Sequence, residues 1–484
     1  METILAPEHE RMSKVDTAWL RMDTPSNLMM IVGVWRIRPS VTLAAVRERI
    51  GTHLLKYPRF GQRVVDDGLG AHWIEDTEFD INRHVPAETL ALHTGVDAEM
   101  LLKDRVGELA VQPLDPAHPL WQFHLVEDMG DGSSALIARI HHCIGDGMAL
   151  IAVMLSITDG GRAPPKRKQQ PRDDADWLYD HLMRPITGLT IKAIRMAGAG
   201  MSKSVDHLLH PVSPLNPWDS GLDMARMGYQ VAADVAAFAL MADDSHTRLK
   251  GKPGLHKRVA WGEPLPLDAV KAVGKAMNAS INDVLMTCVA GAIGRYLHDK
   301  GDAVEGKEIR VMVPVNLRPM EKAYQLGNRF GLVPLVLPIG ILNPVERLYE
   351  VKSRMRNLKG SYQPVMAFGL LSVAGLLIKP VQQAMLNIFA KKTTAVMTNV
   401  PGPAEALNFC GAEVERVMFW VPQSGDVGVG VSVLTYAGNV QFGLITDSKL
   451  CPDPDAVIAN FTPEFDKLLM LALMLPWGDE AAEE

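Results

Sequence analysis

Residues 134–147 read Ser134-Ala135-Leu136-Ile137-Ala138-Arg139-Ile140-His141-His142-Cys143-Ile144-Gly145-Asp146-Gly147. The first seven are mostly apolar and predict a buried strand that ends directly at His141. Residues 148–157 then read as a helix. The polar cluster therefore sits on the loop between a strand end and a helix start, where sites commonly form. Neighbouring side chains on an extended segment point to opposite faces. One of the two histidines is expected to enter a cavity and the other to support the loop. A neutral imidazole is a suitable general base near pH 7. Asp146 is suited to fixing the loop, and Gly147, lacking a Cβ, lets a substrate approach the backbone. A purely structural His pair stays open as an alternative. Metal chemistry has little support, because neither HExxH nor a cysteine cluster accompanies the pair. The GxSxG of serine hydrolases is absent as well.

Outward from this stretch, residues 29–37 predict a second buried strand, and 43–55 a helix with Val46, Ile50 and Leu54 on one face. Residues 160–176, GGRAPPKRKQQPRDDAD, have almost no apolar content and read as a solvated loop. Residues 177–245 follow helical spacing. A second region mixing strands and helices starts near 256. In it, 280–297 is a helix capped by Ser280, and 309–315 and 331–337 are strands, the latter pushed to an edge by Pro334. Residues 366–389 form an apolar helix, and strands return at 427–436 and 440–445. The expected organisation is an N-terminal domain over 1–160, a loop and helical linker over 161–255, and a C-terminal domain over 256–484.

The chain has 484 residues, enough for two or three domains at about 100–200 residues each. It carries 49 basic and 56 acidic residues, a net charge of −7, which speaks against a nucleic-acid partner. Met is abundant, at 26, and suits adaptable apolar pockets, although a Met-tolerant core is the simpler explanation. The four cysteines form no CxxC pair, so neither a zinc site nor a disulfide framework is expected. The first residues lack a basic stretch followed by an apolar run, so a cytoplasmic protein is expected. No run reaches the about 18 apolar residues of a membrane span.

His141-His142-Cys143-Ile144-Gly145-Asp146-Gly147 resembles the HHxxxDG signature of the CoA-dependent acyltransferase superfamily. Further segments resemble the bacterial wax ester synthase/diacylglycerol acyltransferase family. Residues 12–20, MSKVDTAWL, look like its opening LSxxDxxFL. Pro119-Leu120-Trp121 is similar to its PLW, and Asn282-Asp283 to its ND. Thr398-Asn399-Val400-Pro401-Gly402-Pro403 looks like its SNVPGP. Asn316-Leu317-Arg318-Pro319 and Gly327-Asn328-Arg329-Phe330-Gly331 match two more blocks. The resemblance runs in order along essentially the whole chain. It departs in three places. Ile31 stands where the usual MHVG has its histidine, Thr398 replaces the first serine of SNVPGP, and residues 247–254 differ from the LNxP-type block.

This resemblance implies an α/β (α+β) fold of two chloramphenicol-acetyltransferase-like domains with a tunnel between them. It implies an O-acyltransferase that moves a long-chain acyl group from acyl-CoA to a fatty alcohol or diacylglycerol, with His142 as general base and no covalent intermediate. His141 is expected to support the loop, and Asp146 to orient it through Arg318 or Arg329. Asn282 would hydrogen-bond substrate or oxyanion unless it is a plain helix cap. Pro119, Leu120, Trp121, Asp283, Asn399, Pro401 and Gly402 would shape the substrate path. Lys391-Lys392 and Lys257-Arg258 are candidates for CoA phosphates. No cofactor or metal is expected beyond the acyl-CoA substrate. Apolar substrates suggest peripheral attachment to the inner membrane or lipid droplets, with 365–390 as the docking surface. Two alternatives are a condensation-type enzyme using a carrier-protein donor and a non-catalytic lipid-binding or droplet protein.

Overall fold

The computed structural model describes residues 10–66, 70–92, 95–161, 243–316, 326–328, 330–359 and 391–475. Two large sheets, beside a small three-stranded one, organise them. The first is six-stranded. Three of its long members are β1 (Met30–Arg38), β2 (Trp121–Val126) and β3 (Ser134–His141), with β1 and β2 flanking β3 antiparallel. The second is built from β4 (Lys257–Trp261), β5 (Ile309–Asn316), β6 (Phe330–Leu337) and β7 (Ala395–Pro401). After β8 (Ala412–Trp420), it is completed by β9 (Val429–Tyr436) and β10 (Asn439–Asp447). Its order is β6-β5-β7-β9-β10-β4, with β7 parallel to both β5 and β9. Pro334 lies in the edge strand β6, where its missing N–H costs the ladder least.

The apolar run of β1 has a simple cause: both of its faces are covered. Met30, Val32 and Val34 enter one core cluster, and Ile31, Trp35 and Ile37 enter another. The second cluster is closed by α1 (Lys14–Arg21), α2 (Leu43–His53) and, after α3 (Ala98–Leu109), α4 (Gly147–Ile157). Leu102, Val106 and Leu109 of α3 cover the other face. The second sheet packs against α5 (Leu267–Ala276), α6 (Ile281–Asp299), α7 (Pro344–Lys359) and α8 (Pro454–Met474). Ser280 caps α6 in a capping box with Asp283, each side chain bonding the other's backbone N–H.

The two sheets do not follow the expected division at residues 160 and 256. Strand β8 comes from the second half of the chain, yet it pairs antiparallel with β1 of the first sheet, from Glu413↔Arg38 to Trp420↔Val32. The halves also meet where α3 crosses β4. A Cβ on Gly107 would lie 2.4 Å from the Lys257 carbonyl oxygen, so only glycine permits that approach. The expected helices at 177–245 lie almost wholly, and 366–389 wholly, outside the described residues. Among the described residues, no single helix is long and apolar enough to cross a membrane.

Candidate active site

Strand β3 ends at His141, and the next residues turn sharply into α4. Three backbone bonds fix the turn. His141 N donates to Leu120 O (2.9 Å), His142 N to Met29 O (2.7 Å) and Ile144 N to His141 O (3.1 Å). Asp146 is the N-cap of α4, its Oδ1 accepting from Ala149 N at 2.9 Å. His141, His142 and Asp146 are all buried.

The two histidine side chains face different surroundings. His141 Nδ1 accepts the Cys143 N–H (3.1 Å), which assigns the proton to Nε2, facing Asp23 Oδ1 at 3.4 Å. Asp23 Oδ1 also accepts the Met29 N–H. His141 is therefore part of the loop's scaffold. His142 stacks face to face on Trp19, ring centroids 4.2 Å apart and planes at 15°. Burial pushes its pKa down to about 4. Its own carbonyl, the Asp146 carboxylate and the Asn328 side chain oppose that shift. The ring is therefore neutral at pH 7.

An apolar cavity starts beside this loop. Its lining runs from Gly147, Leu150, Ile151 and Met154 of α4 to Ile31, Gly33 and Trp35 of β1, and on to Gly402, Leu434 and Tyr436. A Cβ on Gly147 would meet nothing within 4 Å, so the first turn of α4 opens onto free space. Gly402 is held tightly from behind: its N–H donates to Thr435 O (2.9 Å), and a Cβ there would lie 2.3 Å from that oxygen.

The other expected site residues divide. Asn282 is exposed at the start of α6, and its Oδ1 accepts from Asn399 Nδ2 at 2.9 Å, so the ND and SNVPGP-like segments meet. Asp283 is buried and spends its carboxylate on the Ser280 cap, which makes it structural. Trp121 is fully buried in the first core. It stacks on His84 (4.3 Å), and its Nε1 donates to Phe60 O (2.9 Å), so it is a core residue and does not line the cavity. Pro119 and Leu120 are buried beside it, and the Leu120 carbonyl anchors His141. Pro401 is exposed. Arg318 and Arg329 lie outside the described residues. Lys257 is buried and donates to Gln423 Oε1, and Lys392 pairs with Asp243 at 2.6 Å. Those two ammonium groups are turned inward or paired, which argues against their role on CoA phosphates.

Four residues at the loop had no role assigned from sequence: Asp16, Trp19, Asp23 and Asn328. Asp16, Trp19 and Asn328 lie inside segments that carry the family resemblance. Asp23 has no such signal.

In its architecture the chain matches acyl-transferring and condensing proteins. It is similar in fold to a wax ester synthase/diacylglycerol acyltransferase from Marinobacter aquaeolei VT8, with TM-score 0.65 and 19% identity, covering 96% of this chain and 100% of that one. A starter condensation domain of rhizomide synthetase, solved as a mutant with C8-CoA, aligns with TM-score 0.53 and 14% identity over 96% and 95% of the two chains. In sequence, a probable diacylglycerol O-acyltransferase of Mycobacterium tuberculosis is 24% identical over 452 residues, 91% of this chain and 92% of that protein. The curated relatives this chain matches over most of their length are named diacylglycerol O-acyltransferases and wax ester synthase/diacylglycerol acyltransferases, which gives the class as an acyltransferase. The wax ester synthase/diacylglycerol acyltransferase catalytic-domain model matches residues 12–285, and the family's C-terminal-domain model matches 326–469. The chain belongs to the wax ester synthase/diacylglycerol acyltransferase family.

Proposed function

We propose that this enzyme transfers a long-chain acyl group from acyl-CoA to the hydroxyl of a fatty alcohol or diacylglycerol, with His142 as general base. The observation that carries the reading is a buried, neutral imidazole on the loop leading into α4, whose first residue Gly147 lines an apolar cavity. A ring nitrogen of His142 takes the hydroxyl proton as the alcohol oxygen attacks the thioester carbonyl. The tetrahedral intermediate collapses, the C–S bond breaks, and the imidazolium returns the proton to the CoA thiolate. The acyl chain lies along the cavity wall, where apolar side chains replace water. Asn282 and Asn399, bonded to each other and half or fully exposed, are polar groups available to substrate.

Both acceptors reside in lipid, so the reading includes peripheral contact with a membrane or droplet surface. Met470, Leu473 and Met474 at the end of α8 are 67%, 60% and 81% exposed and supply apolar contact area. The segment 365–390 lies outside the described residues.

The test is palmitoyl-CoA with hexadecanol or dipalmitoylglycerol carried in phosphatidylcholine vesicles, following free thiol and ester together. Acceptor-dependent thiol release, matched by ester and lowered about 10²–10⁴-fold in His142→Ala, is expected. The ester formed identifies the acceptor, and flotation of the protein with the vesicles reports surface binding. Equal turnover by His142→Ala would contradict the assignment of the base.

A further inference from the structure

Helix α1 brings two side chains to His142 from one face, since Asp16 and Trp19 are three residues apart. The helix is anchored there by Ser13, whose Oγ accepts the Asp16 N–H at 3.1 Å. Trp19 lies flat on the His142 ring. Asp16 is buried, and its Oδ1 accepts both the backbone N–H (3.1 Å) and the Nδ2 (2.7 Å) of Asn328. The same Asn328 Nδ2 donates to the His142 carbonyl oxygen at 2.7 Å. Its two hydrogens are thus divided between the carboxylate and the histidine backbone. One residue earlier, Gly327 forms a bridge with Gly145 of the motif loop, at φ +107°, a conformation that glycine tolerates. Asn328 is separated from Asp16 by 312 residues and from His142 by 186. A residue from the second half of the chain therefore closes a chain of hydrogen bonds from α1 to the base.

We propose that Asn328 is the positioning residue of His142. It clamps the backbone of the base and ties it to Asp16, while Trp19 fixes the plane of the ring. This rests on the reading of His142 as the base. Asn328 touches no reacting atom. It acts by holding the imidazole where its base nitrogen meets the acceptor hydroxyl, and small misplacements of a base are costly.

The experiment is a double-mutant cycle of steady-state kinetics, with thermal unfolding recorded for every variant. Asn328→Ala and Asp16→Ala are each expected to lower kcat about 10- to 100-fold, with both KM values changed less than about threefold. The double variant should be no slower than Asn328→Ala alone, because both changes cut one connection. Asp16→Asn keeps a carbonyl oxygen for Asn328 to reach and should retain at least about a third of kcat. Trp19→Phe should likewise outperform Trp19→Leu. Losses that multiply in the double variant, wild-type kcat in Asn328→Ala, or Asp16→Asn as slow as Asp16→Ala would each overturn the proposal. If Asn328→Ala does not fold, the Asp16 and Trp19 pairs decide alone. His142→Ala is run beside them. If it stays active, the base assignment fails. If it is dead while Asn328→Ala is fully active, only the clamp fails.

Discussion

At Gly33 the wall of the apolar cavity is bare backbone in the middle of β1. A Cβ there would have its nearest neighbours at 3.4 Å or beyond, so a side chain fits and takes up cavity space. Ile151, half-buried on α4, lines the same cavity. If the acyl chain lies here, Gly33→Val should shift preference toward shorter acyl-CoAs and Ile151→Ala toward longer ones. A shift of about tenfold in relative kcat/KM is expected across a C8–C18 series, since each methylene carries roughly 1–3 kcal/mol of discrimination. Unchanged preference in both variants would place the chain elsewhere. That the side chains of His141 and His142 part was legible in the sequence, because neighbours on an extended segment face opposite ways. The roles of Asp16, Trp19 and Asn328 were not. Their contacts span up to 312 residues, and no local pattern records such a meeting.

Individual elements followed their sequence closely. The strand over 134–140 is observed as Ser134–His141, and the helix over 280–297 as Ile281–Asp299, with its expected Ser280 cap. Buried strands and capped helices announce themselves through short-range pattern. Strand β8 was missed, because its half-polar run of AEVERVMFW gives no sign of which sheet it joins. Similarly, Asp283 reads as a site residue in a motif, but only the capping box shows that its carboxylate is already used. Gly402 carries a prediction at this scale. The end of β7 passes so near Thr435 O that Gly402→Ala forces backbone to move, at a cost of about 1–3 kcal/mol. Chemical denaturation should show that loss as a lower midpoint with an unchanged slope. A variant as stable as wild type would mean that the turn relaxes freely.

On the scale of the whole molecule, the two halves are interleaved. The first sheet needs β8 from residue 412 onward, and the loop at His142 is tied to Asn328. A fragment ending at residue 161 would leave the β1 edge unpaired, and an open apolar edge invites aggregation. That fragment is therefore expected not to form a stable monomer, and a cooperatively unfolding fragment would contradict the interleaving. Burial also ties the molecule to pH. Desolvation holds His142 and His124 near pKa 4 and lowers His84, so the folded protein keeps all three neutral where the unfolded chain takes up protons. Stability from these groups is complete above about pH 6.5 and is lost as pH falls toward 4, on the order of 3 kcal/mol for His142 alone. The most direct test of a buried neutral base is the pH profile of kcat/KM, with folding followed by circular dichroism at each pH. The predicted result is full activity down to about pH 5, with a fall centred near pH 4 while the protein remains folded. A fall centred at about pH 6.5, the value of a solvated imidazole, would contradict the account.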